Sequence, residues 1–144
     1  SEVLTAEGKE FIAAPRQGWI VTAEEILKDL NAPKTCLIDA RSSQRFWGEN
    51  EKLDPVAGHI PGAYSAPFTE NLEENGTWKS KSELRQKFEN LLDGSSAEEA
   101  VSYCGSGITA CHNILAMYYA GLGESRLYPG SWSEWITDPN RPIE

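Results

Sequence analysis

The chain has few of the features that would place it outside ordinary globular proteins. No apolar run approaches the roughly 18 to 20 residues a membrane span needs, and the opening SEVLTAEGKEF lacks the basic-then-apolar pattern of a signal peptide. These two absences read as a soluble, cytoplasmic protein with no membrane partner. Basic residues are short too: 13 Lys and Arg stand against 22 Asp and Glu, a net charge of -9. Such a balance repels nucleic-acid backbones and anionic lipid, so no nucleic acid is expected. An anionic substrate would need positive charge concentrated locally.

Cysteine and histidine are sparse, with 3 and 2 copies. An odd cysteine count in a chain of 144 residues argues against a disulfide framework. Cys104, Cys111 and His112 lack the paired spacing that closes a tetrahedral zinc site, so neither metal nor cofactor is expected. Length and apolar content suit one compact domain. Residues 1–17, with Pro15 and no periodicity, read as an arm or linker, and residues 18–144 as the domain.

The remaining chain alternates strands with helices. WIV (19–21) reads as a strand, and Thr22 with Glu25 forms a capping box opening a helix that closes near Asn31 and Pro33. TCLIDA (35–40) has the length and apolarity of a strand buried on both faces. RSSQRFWG follows as a short helix or turn, and GHIPGAYSAP as a loop feeding a strand. Ser80 with Glu83 caps a second helix with apolar residues at 84, 88, 91 and 92, ending at Gly94. AVSYC is a strand. Ile108, Cys111, Leu115, Tyr118 and Leu122 then mark the inner face of a helix over 108–120, and RLYPGSWSEWI reads as a last strand and turn. The order predicts an α/β domain, doubly wound, with a mostly parallel sheet and helices on both faces. Sites in such folds lie at the carboxyl ends of strands.

Cys104 stands where a strand runs into a glycine-rich turn and a helix. Backbone N–H groups of such a turn, with the helix's positive end, favour a thiolate. A cysteine phosphatase would need an arginine six residues later to clamp phosphate, and that position is Ala110. A loop of N–H groups and one hydroxyl suits instead a persulfide, a cysteine carrying one extra sulfur.

The loop CGSGITAC (Cys104 to Cys111) resembles the active-site loop of the rhodanese sulfurtransferases, in the pattern C-G-[ST]-G-[VI]-T-A-C of their mercaptopyruvate branch. LIDARSSQRFWG, GHIPGA and YPGSWSEW resemble the family's other blocks, in the same order. The resemblance implies a rhodanese-like fold and a 3-mercaptopyruvate or thiosulfate sulfurtransferase. Thiosulfate-preferring relatives resemble C-R-K-G-V-T, and Gly105 with Ser106 in place of that cationic pair favours the singly charged mercaptopyruvate. Carried over by position, Cys104 is the sulfur acceptor and Ser106 a catalytic hydroxyl that bonds the substrate or relays its proton. Gly105, Gly107, Ile108 and Thr109 line the substrate, and Arg45 binds its carboxylate, against a plainer reading in which Arg45 pairs with Glu49 or Glu51. The branch commonly shows a second arginine nine places further on; here that position is Asp54. Lys52 and Arg41 are further candidate cations.

The resemblance further implies a thiol, cyanide or thioredoxin as sulfur acceptor, and a companion N-terminal rhodanese-like domain joined through residues 1–17. A second function class is a carrier module that receives persulfide from a partner protein without turning over a small donor. Several other residues have structural expectations. His59 fixes its loop, Asp39 pairs with Arg41, Cys111 packs in the core or acts as a resolving thiol, and His112 is solvated or capping. Trp132 and Trp135 pack the last turn, and the acidic stretches TENLEENG and SSAEEA are solvated.

Overall fold

The computed structural model describes residues 10–30 and 35–144; residues 1–9 of the expected arm, and the helix end expected at Asn31 and Pro33, lie outside them. Residues 10–16 are exposed and carry neither helix nor strand. In chain order the elements are α1 (Ala23–Asp29), β1 (Leu37–Asp39), α2 (Ser43–Phe46), β2 (Tyr64–Ser65), α3 (Lys81–Leu92), β3 (Val101–Tyr103), α4 (Ile108–Tyr119), β4 (Arg126–Leu127) and α5 (Ser131–Trp135). Two short 3₁₀ turns, Phe68–Asn71 and Ala97–Glu99, complete the set. The WIV segment contributes a single parallel bridge, Ile20 to Leu127, rather than a full strand.

Both expected capping boxes form. Thr22 Oγ1 accepts from the Glu25 N–H while Glu25 accepts from the Thr22 N–H, and Ser80 and Glu83 repeat the exchange, giving each helix partners for otherwise orphaned donors. Helix α3 buries Leu84, Phe88 and Leu92, the expected stripe, and ends on Asp93 in the left-handed region just before Gly94.

The four strands lie in the order β2-β1-β3-β4, every pair parallel. Adjacent residues of β1 point to opposite faces, and each face has its own core. Ile38 joins Leu84, Phe88, Leu92, Ala116 and Met117 beneath α3 and α4. Leu37 joins Val21, Ile26, Tyr103, Trp132 and Trp135 beneath α1 and α5. The doubly wound sheet with helices on both faces is therefore present as expected. Chain order reverses between β1 and β3, so the crevice at their carboxyl ends is the topological switch point. Ala40, Cys104 and Ala110 pack together there, with Phe68 and Leu127 against them.

Two expectations are corrected. RLYPGSWSEWI ends in helix α5, entered through Ser131 at φ +55°, and is not only a strand and turn. The inner face of α4 is also different: Ala110, Asn113, Ala116 and Met117 are buried, while Ile108, Leu115 and Tyr118 are 76%, 53% and 62% exposed. Cys111 lies on the exposed side, so it is not a core residue. Small residues let α4 approach the sheet closely, and Asn113 donates to the Ala66 carbonyl (2.8 Å) and accepts from Asn71 (2.7 Å), fixing which side faces inward.

Candidate active site

Cys104 follows β3 directly and is almost fully buried. Gly107 caps α4 at φ +85°, and a side chain there would bring Cβ to 2.7 Å from the Pro129 carbonyl oxygen. Conformation and close approach both demand glycine at that position. No side chain caps the amino end of this 12-residue helix, so its first N–H groups remain open. Burial alone pushes the Cys104 thiol up. Hydrogen bonds from the Thr109 hydroxyl and from the N–H groups of Ala110, Ser106 and Thr109 outweigh it, and the thiol lies below its ordinary value.

Helix α5 explains why those N–H groups face the sulfur. The Trp132 N–H donates to the Cys104 carbonyl (2.9 Å) and the Ser133 N–H to the Gly105 carbonyl (3.0 Å). Ser133 Oγ donates to that same Gly105 oxygen. Ser131 Oγ accepts from the Cys104 N–H (3.1 Å) and donates to the Tyr128 carbonyl (2.9 Å). With its carbonyls tied outward, the loop leaves its inner edge to donors. Sequence reasoning quoted GSWSEW without seeing these roles; the signal available was the pair of serines flanking Trp132.

Arg45 sits on α2, which Ser42 caps. Its Nη1 and Nη2 lie 3.5 and 3.6 Å from the point a Cβ on Gly105 would occupy, so the guanidinium borders the residue after Cys104. The plainer reading of Arg45 is met in part. Its Nε donates to both Glu51 oxygens (2.8 and 3.1 Å) and Nη2 to Asp54 (2.7 Å), while Glu49 takes no part. Burial raises the Glu51 carboxyl, but Arg45 and the N–H groups of Leu53 and Asp54 hold it below the usual range. Of the two carboxylates around Arg45, Glu51 is the one the sequence offered, and Asp54 was missed as a partner.

Of the other candidates, Ser106 and Ile108 are exposed on the loop's outer side, and Gly105 and Thr109 are half-buried. Ser106 reaches the sulfur through its backbone N–H, and the side-chain donor is Thr109. Lys52 is exposed and forms no ion pair among the described residues. Arg41 is not free for a substrate, which corrects its candidacy. Its side chain, 1% exposed, grips Asp39 through Nε and Nη2 (2.7 to 3.1 Å), donates to the Gly58 carbonyl (2.8 Å) and lies over the Trp132 ring. His59 is buried, stacks on Phe46 and holds the Phe46 carbonyl through Nδ1 (2.9 Å), a structural role. Half-buried His112 accepts from Asn71 and stacks on Trp78, and burial lowers its pKa, so it is neither solvated nor a cap. Burial pushes the Cys36 thiol up to about 11. No cluster of three or more His, Cys, Asp or Glu able to hold a metal occurs among the described residues.

The profile of the rhodanese-like domain family matches residues 22–138. The chain belongs to the rhodanese-like domain family. A probable 3-mercaptopyruvate sulfurtransferase of Pseudomonas aeruginosa is 49% identical over 134 residues, which are 93% of this chain and 47% of that protein. The 3-mercaptopyruvate sulfurtransferase of Mus musculus is 41% identical over 90% of this chain and 44% of its own length. The rhodanese-like domain thus spans about half the length of these relatives. Thiosulfate sulfurtransferase of Rattus norvegicus is 36% identical over 94% of the chain and 46% of its own length. Among solved structures, the 3-mercaptopyruvate sulfurtransferase from Leishmania major superposes with a TM-score of 0.73 at 34% identity, covering 88% of this chain and 34% of that one. No helix among the described residues is long and apolar enough to cross a membrane.

Proposed function

We propose that this rhodanese-like domain is a sulfurtransferase that takes sulfane sulfur from a small anionic donor onto Cys104 and passes it to a thiol or cyanide. The observation that carries the reading is the convergence of the Thr109 hydroxyl and three backbone N–H groups on a buried cysteine sulfur. The mercaptopyruvate-named relatives of Pseudomonas aeruginosa and Mus musculus, at 49% and 41% identity, are more similar than the thiosulfate sulfurtransferase of Rattus norvegicus at 36%, which puts 3-mercaptopyruvate first among donors.

In the first step the Cys104 thiolate attacks the donor's sulfur. The new S–S bond forms as the donor's C–S bond breaks, and the electron pair leaves on the pyruvate enolate. The proton that was on the donor's sulfur passes to the enolate carbon, a transfer assigned to the exposed Ser106 hydroxyl. Pyruvate leaves, and Cys104 holds an anionic outer sulfur in the N–H cradle. Arg45 binds the donor's carboxylate through Nη1, which has no hydrogen-bond partner among the described residues, while Gly105, Gly107, Ile108 and Thr109 form the floor. A thiolate or cyanide then attacks the outer sulfur and restores the Cys104 thiolate. Residues 1–17 join this domain to a companion half, a thioredoxin-type dithiol is the protein acceptor, and the compartment is cytoplasmic.

A second reading, a carrier module that receives persulfide from a protein, is favoured by one observation: Arg45 already faces two carboxylates. Steady-state release of pyruvate from mercaptopyruvate and of thiocyanate from cyanide, compared in wild type and Cys104→Ser, separates the two. Turnover that vanishes in the variant supports the enzyme. Persulfide without turnover supports the carrier.

A further inference from the structure

We propose that His112 is a positioning residue for Cys104: its neutral imidazole ties the amino-terminal half of α4 to the Phe68–Asn71 turn, and protonation of the ring undoes the tie and loosens the cradle around the sulfur. The inference rests on the sulfurtransferase reading above and deepens it, adding a group that governs the thiolate from outside the loop. Buried Asn71 is the hub of a hydrogen-bond chain whose two ends allow one arrangement of protons. At one end Lys87 Nζ, a donor only, lies 2.9 Å from Asn71 Oδ1, which must accept. At the other the Ala66 carbonyl, an acceptor only, lies 2.8 Å from Asn113 Nδ2. Between them the two Asn71 Nδ2 hydrogens go to Asn113 Oδ1 (2.7 Å) and to His112 Nδ1 (3.2 Å). His112 Nδ1 is therefore an acceptor without a proton, and the ring's hydrogen sits on Nε2.

A protonated ring would set N–H against N–H. Asn71 cannot turn its oxygen to the imidazolium, because its amide hydrogens would then face the Lys87 ammonium. Nor is the ring free to swing away, since it stacks on Trp78 (centroids 4.4 Å apart, 21° between planes) and meets Phe68 at 63° (5.4 Å). The charged groups packed about it are Lys87 on α3, Glu70 of the turn at 3.3 Å from Lys87, and Lys79 ahead of α3, whose charge acts on Lys87. Helix α4 carries no Asp, Glu, Lys or Arg, and its other titratable groups are Cys111, Tyr118 and Tyr119. Burial first, and the Lys87 charge with it, holds the ring's pKa below its ordinary 6.5. Neutral His112 thus stabilises the fold above that value, and the contribution is lost as pH falls through 6.5 toward the folded value.

The tie reaches the sulfur by two routes. The first turn of α4 supplies the Thr109 hydroxyl and the Thr109 and Ala110 N–H groups that hold Cys104. Phe68, whose ring meets His112, packs against Ala40, Cys104 and Ala110, and its N–H donates to the Ala40 carbonyl (3.1 Å). A positive ring acting by charge alone would favour the thiolate, whereas loss of the tie disfavours it. The two effects have opposite signs.

The test reads the rate of Cys104 carbamidomethylation across the acid side of neutrality in a Cys111→Ser parent. Two variants are compared with it: His112→Asn, whose Oδ1 accepts in place of Nδ1 without titrating, and His112→Phe, which keeps the stacked ring and loses the acceptor. Nitrogen-15 shifts of the His112 ring give its tautomer and midpoint, His59 being the other histidine in the spectrum. The Nε2–H tautomer is expected at neutral pH. As the ring titrates, the parent's rate falls about threefold beyond the roughly tenfold per pH unit owed to the thiol itself, the loss that a rise of about one unit in the Cys104 pKa produces. His112→Asn shows no additional fall, and His112→Phe is about threefold slower already at neutral pH and shows none either. An Nδ1–H tautomer, no additional fall in the parent, a rise in its place, or an equal fall in His112→Asn each overturns the proposal. Sulfur transfer from 3-mercaptopyruvate, measured on the same three proteins, keeps the two readings separable. The additional fall without transfer in any of them leaves the role of His112 standing and sinks the sulfurtransferase reading alone; transfer without the fall does the reverse.

Discussion

Replacing Thr109 by valine removes one hydroxyl from beneath the Cys104 sulfur and leaves shape and backbone nearly unchanged. The Thr109 hydroxyl heads the hydrogen bonds that lower this thiol's pKa against the opposing effect of burial. A hydrogen bond to a charged group contributes about 1.5 to 3 kcal/mol, and one pKa unit is about 1.4 kcal/mol, so the Cys104 pKa rises by about 1 to 2 units in Thr109→Val. Three N–H donors remain to share the charge, which places the effect at about 1 unit. Thiolate content below both pKa values then falls about tenfold, but the more basic thiolate is about threefold more nucleophilic, so alkylation slows only about threefold there. At high pH the order reverses, and the variant reacts faster. The assay is the pH profile of Cys104 carbamidomethylation followed by mass spectrometry, in a Cys111→Ser background so that the exposed thiol does not compete. Buried Cys36, pushed up to about 11, stays silent over the range used. An alkylation midpoint that moves by less than about 0.3 units refutes the claim that the Thr109 hydroxyl supports the thiolate.

Three further outcomes are expected. Gly107→Ala forces a side chain into a left-handed conformation against the Pro129 carbonyl, so it loses at least about 2 kcal/mol of stability and raises the Cys104 midpoint together; a melting temperature equal to wild type contradicts this. Asp39→Asn takes from the buried Arg41 guanidinium its hydrogen-bonded carboxylate, leaving Glu51 at 3.6 Å, and costs about 3 kcal/mol in urea unfolding, whereas a loss under about 1 kcal/mol shows the pair to be dispensable. Cys111→Ser changes stability by no more than about 0.5 kcal/mol, because the thiol is exposed and donates only weakly to the Gly107 carbonyl; a loss above about 1 kcal/mol restores it to the core.

Elements with local chemistry were legible in the sequence. Thr22 with Glu25 and Ser80 with Glu83 announce their helices because the capping box is closed within four residues. The strand, glycine turn and helix around Cys104 are legible for the same reason, and with them the direction in which its thiol pKa is shifted. Helix α4 is different. Its residues are apolar nearly all round, so periodicity alone picks the bulkiest stripe, Ile108, Leu115 and Tyr118, which faces outward. The side that packs is chosen by Ala110 and Ala116, small enough for close approach, and by the bonds of Asn113 to Ala66 and Asn71. Long-range pairing is equally hidden. Asp54 reads in the sequence as a missing arginine, and only the fold brings it to Arg45; Ser131 and Ser133 read as turn residues until α5 is seen behind the loop.

The central claim is that Cys104 accepts sulfur. The most direct measurement is the intact mass of the reduced domain after brief exposure to stoichiometric 3-mercaptopyruvate, with wild type and Cys104→Ser side by side. A gain of about 32 Da, one sulfur atom, on wild type alone, mapped to Cys104 and removed by cyanide, is the predicted result. An unchanged wild-type mass, or the same gain in Cys104→Ser, contradicts the account.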